Sequence, residues 1–340
     1  MPALRYSHYE DPSGRARHLV LPELPARDAV AVRVVVTGGA GFIGSHLADA
    51  FVARGDDVLV VDDLSSGARE RVPEGADFAE LDIADGPALR ARLDDFKAEL
   101  ICHLAAQSSV TVSVTNPDLD FASNVRGTFN VCQAAAALGA RIVFASTGGA
   151  LYGNDPAAIP TPETEIPQPL SQYGAGKLAG EAFIGTQARS DSAQHVILRL
   201  GNVYGPRQTP HGEAGVVAIF SDRLIRGETP IVYGHGKPTR DYVHVADVVR
   251  AFTTAADSRL GGTFNVGWGR ETSVLELLDV VQRAAGTSVE PKLEPLRPGE
   301  LDRSAIDSRL AADVLGWRPE LDFEDGIAET FRWYASEHGT

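Results

Sequence analysis

The sequence predicts an α/β fold: a doubly wound parallel sheet of the Rossmann type with a smaller, loop-rich α/β lobe. Three observations predict it. Short apolar, β-branched runs alternate with longer stretches of helical period, as expected for parallel strands covered on both faces by crossover helices. A glycine-rich turn, Gly38-Gly39-Ala40-Gly41-Phe42-Ile43-Gly44, joins the first run to the first helical stretch. An acidic pair, Asp62-Asp63, closes the second run.

Each element follows in order. Val32 to Thr37 is a β-branched strand that leads into the glycines. Gly41 to Arg54 reads as a helix, with Phe42, Ile43, Leu47, Ala50 and Phe51 apolar at helical spacing. Gly55-Asp56 ends it, and Val58 to Val61 is the next strand. Leu100 to Leu104, Arg141 to Ser146 and His195 to Leu200 are further strands, and an Ala-rich helix occupies roughly 120 to 138. A second helix spans 171 to 188. After Asn202, Pro and Gly punctuate the chain, which predicts the smaller lobe. The expected domains are a Rossmann domain over 31–201 plus about 241–257 and a substrate lobe over 202–240 plus about 258–340. Residues 1–30 carry mixed charges and four prolines and read as an arm, poorly ordered or packed on the body.

The glycine turn has a physical purpose. A pyrophosphate needs backbone N–H groups at a helix N-terminus, and a Cβ would block its approach. Gly38, Gly41 and Gly44 have the required spacing, with Phe42 and Ile43 opening the helix. Asp62 falls 18 residues after Gly44, where a carboxylate accepts hydrogen bonds from an adenosine ribose and repels a 2′-phosphate. The cofactor expected is NAD rather than NADP, with Asp63 as a helper. Asp82 and Ile83, after the Phe78 to Leu81 run, are expected to flank the adenine.

Composition bounds the partners. The chain has 340 residues and a net charge of −15, which argues against nucleic acid and anionic membranes. No apolar run approaches the roughly 18 residues that span a bilayer, and the first residues lack the apolar core of a secretory signal. The two cysteines, Cys102 and Cys132, form no disulfide framework, so a reducing cytoplasm is the expected location. No metal-ligand spacing is present.

Tyr173 and Lys177 are four residues apart on the predicted second helix and share one face. An ammonium beside a phenol favours the phenolate. Lowering a tyrosine from about 10 to near 7 takes about 4 kcal/mol, which a cationic nicotinamide and Lys177 together could supply.

At these residues the chain resembles an extended short-chain dehydrogenase/reductase, more narrowly a nucleotide-sugar 4-epimerase of the UDP-glucose 4-epimerase type. The resemblance covers residues 32 to 335. Thr37 to Ser45 resembles the cofactor turn, and His103-Leu104-Ala105-Ala106-Gln107 the strand beneath the nicotinamide ribose. Asn124 resembles the helix residue that braces the site. Arg199 to Pro206 resembles the mouth of the sugar site, and Arg240 to His244 with Arg297 to Glu300 the nucleotide clamp.

The resemblance implies an isomerase that inverts C4 of a UDP-hexose through a transient 4-keto sugar and enzyme-bound NADH. Tyr173 is then the base, and Lys177 lowers its pKa and binds the nicotinamide ribose. NAD is regenerated each turnover and stays tightly bound. The family's third catalytic group is a Ser or Thr four residues before the tyrosine of a Val-Tyr-Gly motif. Here that position is Gly148, so the hydroxyl is Thr147 or Ser146. Gly148-Gly149 also offers no acid or base for water elimination or loss of carbon dioxide. The implied substrate residues are Asn202, Arg207, Val217, Tyr233, Arg240, Arg297 and Glu300. Ser304 stands where a bulky residue would close the pocket to N-acetyl groups, so N-acetylhexosamines are expected to fit as well as plain hexoses. A UDP-hexuronate 4-epimerase, another NAD-dependent sugar-nucleotide enzyme and a non-catalytic NAD-binding regulator are the alternatives. A homodimer through the helices near 120–138 and 171–188 is implied.

Two glycines, Gly174 and Gly176, interrupt the helix that carries Tyr173, at a cost of roughly 1 kcal/mol each. Close approach to the cofactor or to a neighbouring strand is the expected reason.

Overall fold

The structure, a computed structural model, describes residues 5–10, 16–21, 31–191, 193–210, 215–296 and 301–338. Seven parallel strands form the central sheet: β1 Arg33–Thr37, β2 Asp57–Asp62, β3 Ala76–Glu80, β4 Leu100–His103, β5 Arg141–Thr147, β6 Val196–Leu200 and β7 Gly262–Val266. Their spatial order is β3-β2-β1-β4-β5-β6-β7. The order reverses between β1 and β4, which opens a crevice at the carboxyl ends of those strands.

Every strand serves two cores because side chains alternate across a sheet. Val34, Val36, Val58 and Val60 face one core, with Phe51 of helix α1 (Phe42–Arg54) and Phe252 of helix α6 (Val245–Asp257). Val35, Leu59 and Val61 face the other, with Leu89 and Leu93 of helix α2 (Gly86–Phe96), Val131 of helix α3 (Thr128–Leu138) and Ile184 of helix α4 (Gln172–Ser190). Burial on both sides explains why these strands read as continuous apolar runs. The helix expected over 120 to 138 is regular only as α3, because Phe121–Gly127 winds as a π-helical turn.

The second lobe has its own core. Helices α5 (Val216–Ile225), α7 (Val274–Ala285) and α8 (Phe323–His338) meet over Phe220, Leu277, Leu278 and Ile327. The expected boundary at 257 falls one strand early. β7 pairs with β6 in the central sheet, and Ala311 and Trp317 pack in the first lobe's core. A five-residue strand that begins on Gly262 carries too little periodicity to announce itself. In the N-terminal arm, Arg5–Glu10 pairs antiparallel with Ala16–Leu21.

The glycines of α4 have a steric cause. A Cβ on Gly174 would come 2.5 Å from the Ala150 carbonyl oxygen. One on Gly176 would lie 3.0 Å from Asn124 Cβ, and one on Gly180 would lie 2.9 Å from the Phe144 ring. The neighbours of Gly174 and Gly176 are therefore a loop and the π-helical turn, not the cofactor or a strand as expected, and only Gly180 meets a strand. Gly185 differs, since its Cβ would find only the flexible end of Arg189 at 3.7 Å. Gly185→Ala should raise stability by about 0.5–1 kcal/mol through helix propensity. Gly176→Ala and Gly180→Ala should lower it despite the same propensity gain. Denaturant unfolding of the three variants checks the contrast.

Candidate active site

The crevice is one continuous cleft of about 1170 Å³. That exceeds the roughly 300–1,000 Å³ of a single-ligand pocket. One half is lined by Gly38, Gly41, Asp62, Ile83 and Gln107, the other by Asn202, Tyr233 and Arg240. Tyr173, Lys177 and Thr147 line it between the two.

The first half fits a dinucleotide. Gly38 has φ +70°, and a Cβ on it would lie 2.7 Å from the Ala105 nitrogen. A Cβ on Gly44 would collide with the Gly38 carbonyl oxygen. Helix α1 begins at Gly41 with no side-chain cap and no acidic residue in its first turn, so its free N–H groups are open to an anion. Asp62, at the end of β2, accepts from the Ala40 and Leu64 N–H groups at 2.9 Å each. Burial raises its pKa, those two bonds oppose the rise, and each oxygen keeps a lone pair for a ribose hydroxyl. Asp63 is exposed and accepts from Ser65. Asp82, Phe42, Ile43, Gly44, Leu104, Ala105 and Ala106 also line the cleft. Asn124 does not. It donates to the Gln107 carbonyl and to Asp120 at 2.8 Å each, while its buried Oδ1 has no partner. An orphaned buried acceptor marks a place where a further donor belongs.

At the centre, the Thr147 hydroxyl lies near enough to the Tyr173 phenol to favour its ionised form. Ser146 is turned away: its hydroxyl donates to Glu181 at 2.6 Å, and Arg199 binds the same carboxylate at 2.6 Å. Of the two hydroxyls left open by the sequence, only Thr147 therefore acts on the tyrosine. The displacement has a steric origin. A Cβ at Gly148 would lie 2.7 Å from Ile306 Cδ1, so a side chain there would have to displace Ile306.

The electrostatics differ from the expectation. Burial pushes Tyr173 up to about 12, Asp120 adds to the rise, and the Thr147 hydroxyl opposes it. Lys177 instead donates to the Ala145 carbonyl at 3.0 Å, and burial pushes it down to about 8 against the pull of Asp120 and Glu181. The lowering assigned to Lys177 is thus supplied within the protein by Thr147, and the protein alone holds Tyr173 as a phenol. His103 bonds Thr37 and Thr128 through its two ring nitrogens, and burial pushes it down to about 3, so it is neutral beneath the site.

The substrate half is only partly as expected. Asn202, Tyr233 and Arg240 line it. Val217 is buried in the second lobe's core, and its neighbour Val216 lines the cleft instead. Arg207 lies 2.8 Å from Asp49 of α1 and is off the cleft wall. Ser304 is also off the wall, its N–H bonded to the Thr239 carbonyl. Arg297 and Glu300 lie outside the described residues. Sequence reading missed Asp120, and it missed Arg223 and Arg226, which line the outer cleft from α5. The spacing of that arginine pair on an amphipathic helix was the available signal. Among the described residues no cluster of metal ligands occurs and no helix is long and apolar enough to cross a membrane.

The sequence model of the NAD-dependent epimerase/dehydratase family matches residues 34–267. The chain belongs to that family. It is 45% identical over 313 residues to a UDP-glucose 4-epimerase of Mycolicibacterium smegmatis, covering 90% of this chain and 99% of that protein. The solved UDP-glucose 4-epimerase of Thermotoga maritima with UDP-glucose is 41% identical, with TM-score 0.88 over 90% of this chain and 99% of that one. The Thermus thermophilus UDP-glucose 4-epimerase in complex with NAD is 42% identical, with TM-score 0.85 over 91% and 100%. Within the family the chain is an extended short-chain dehydrogenase/reductase and an NAD-dependent epimerase, with NAD as its cofactor.

The buried lysine has a measurable signature. Its folded-state pKa of about 8 lies below the 10.5 of the free group, so the unfolded chain binds more protons between those values. Stability then rises with pH across that window and is reduced below it. Relative to Lys177→Met, the wild type should gain up to about 3 kcal/mol as pH rises from 7 to 10.5. Denaturant unfolding of both proteins across that range measures the difference.

Proposed function

We propose that the chain is a UDP-hexose 4-epimerase that inverts C4 of UDP-glucose and UDP-galactose, with the N-acetylhexosamine forms also accepted. Tyr173, Thr147 and Lys177, which line one cleft with the glycine turn, Asp62 and Arg240, carry the reading. They put one acid–base group where a bound cofactor and a bound sugar would meet.

Tyr173 removes the proton of the sugar 4-hydroxyl and returns it after the sugar has turned within the pocket. Thr147 bonds that hydroxyl and the phenol together, which fixes the direction of proton transfer. When bound, NAD⁺ supplies the positive charge that draws Tyr173 toward phenolate and accepts, then returns, the hydrogen of C4. Gly38, Gly41, Gly44 and Asp62 would hold it, Lys177 would orient its nicotinamide ribose, and Asn124 would brace the wall behind Gln107. Tight binding follows from the need to keep one cofactor through both half-reactions. Arg240 lines the substrate half and would pair with the diphosphate, for which forked guanidinium contacts are suited, whereas Arg223 and Arg226 are paired with Glu228 and Asp222. Gly148 and Gly149, which follow Thr147, carry no acid or base, which argues against dehydratase or decarboxylase chemistry. Phe121 and Phe129, exposed at 60% and 43%, support a homodimer through the segment 121–138.

The test is proton NMR of C4 after incubation with UDP-glucose, UDP-N-acetylglucosamine and UDP-glucuronate separately. Inversion of the first, and of the second, is expected; no product from any of the three sinks the reading. Thr147→Val should lower kcat by about 10²–10³. Ser146→Ala should leave kcat within a few-fold and instead cost about 1–3 kcal/mol of stability, because Glu181 loses a donor.

A further inference from the structure

We propose that Asp120 is a positioning residue of this centre. Its buried carboxylate holds Gln107 and Asn124 in place and keeps a negative charge against the helix turn that joins Tyr173 to Lys177. The proposal rests on the epimerase reading above and assigns a role to a residue outside the glycine, tyrosine and lysine motifs.

The geometry carries it. Asp120 is 2% exposed and precedes the π-helical turn. Its Oδ1 accepts from Gln107 Nε2 at 3.0 Å and from Asn124 Nδ2 at 2.8 Å. Its Oδ2 lies against Gly176, where a Cβ would come within 3.1 Å. The glycine that interrupts the catalytic helix is thus what admits the carboxylate. Gln107 lines the cleft and also bonds Ser109 through both ends of its amide, so Asp120 fixes the wall on which a nicotinamide ribose would rest.

The charges that face Asp120 are few. Tyr173 and Lys177 face it from α4, and neutral His103 lies beneath Lys177 on β4. Glu181 acts on Lys177 from one turn further along α4. Burial raises Asp120 itself, and its two amide bonds oppose that rise. Its charge raises both partners, with different effects. It opposes, with Glu181, the burial that lowers Lys177, and it adds to the burial that holds Tyr173 as a phenol.

The experiment compares wild type, Asp120→Asn and Asp120→Glu on the full chain with NAD bound. Both limbs of the pH profile of kcat/KM should move to lower pH by about one unit in Asp120→Asn. The ultraviolet phenolate titration, taken as the difference from a Tyr173→Phe background, should move the same way. Asp120→Glu, which keeps the charge, should restore the wild-type positions. Limbs and phenolate titration unmoved in Asp120→Asn, with kcat merely lowered, would overturn the proposal. Should Asp120→Asn not fold, Asp120→Ser bears the same expectation. A wild type inactive on every UDP-sugar defeats the epimerase reading, whereas the phenolate titration still decides the role of Asp120.

Discussion

The close approach of helix α4 to the end of strand β5 is the constraint on which the site depends. Tyr173, Lys177 and Glu181 follow one another at intervals of four residues, so they lie on one helix face. Each meets a different residue of β5: Tyr173 meets Thr147, Lys177 the Ala145 carbonyl, and Glu181 the Ser146 hydroxyl. A helix carrying alanines at 174, 176 and 180 could not come so near, because their Cβ atoms would strike Ala150, Asn124 and Phe144. The helix gives up propensity, and the site gains a fixed register between base, lysine and hydroxyl.

A second lock ties the lobes together across that strand end. Asp241 is buried and accepts backbone N–H bonds from Trp268, Gly269 and Ile306. Ile306, fixed in this way, fills the space above Gly148. The substrate lobe thereby packs directly against the end of the catalytic strand. Ser146 is taken by the buried Arg199–Glu181 pair, whose partners also include Tyr152. A buried ion pair costs desolvation, and it is worth keeping where most remaining lone pairs and protons are used, as here.

Much of this was legible in the sequence, for physical reasons. The parallel strands are buried on both faces, so their runs are continuous and easy to read. The glycine turn and Asp62 sit within one strand–helix–strand unit, where spacing alone sets geometry. What was not legible depends on distant contacts. Val216 and Val217 differ by a rotation about α5, which sequence leaves undetermined until the helix is docked. Arg207 looks like a phosphate ligand until Asp49, far earlier in the chain, is placed beside it. Asp120 reads as an ordinary polar residue, because its burial requires the π-helical turn and a glycine on another helix. The Lys177 bond to the Ala145 carbonyl was also not legible, since it depends on how the helix docks on β5.

The central claim is that the half-buried Tyr173 carries the hydroxyl proton while one retained cofactor removes and returns the same C4 hydrogen. Incubation with UDP-glucose deuterated at C4, in ordinary water, tests it most directly. The account predicts UDP-galactose that keeps its deuterium at C4, with no exchange into solvent. Inverted product that has lost the label to water would mean that C4 is deprotonated and reprotonated instead, and would contradict the account.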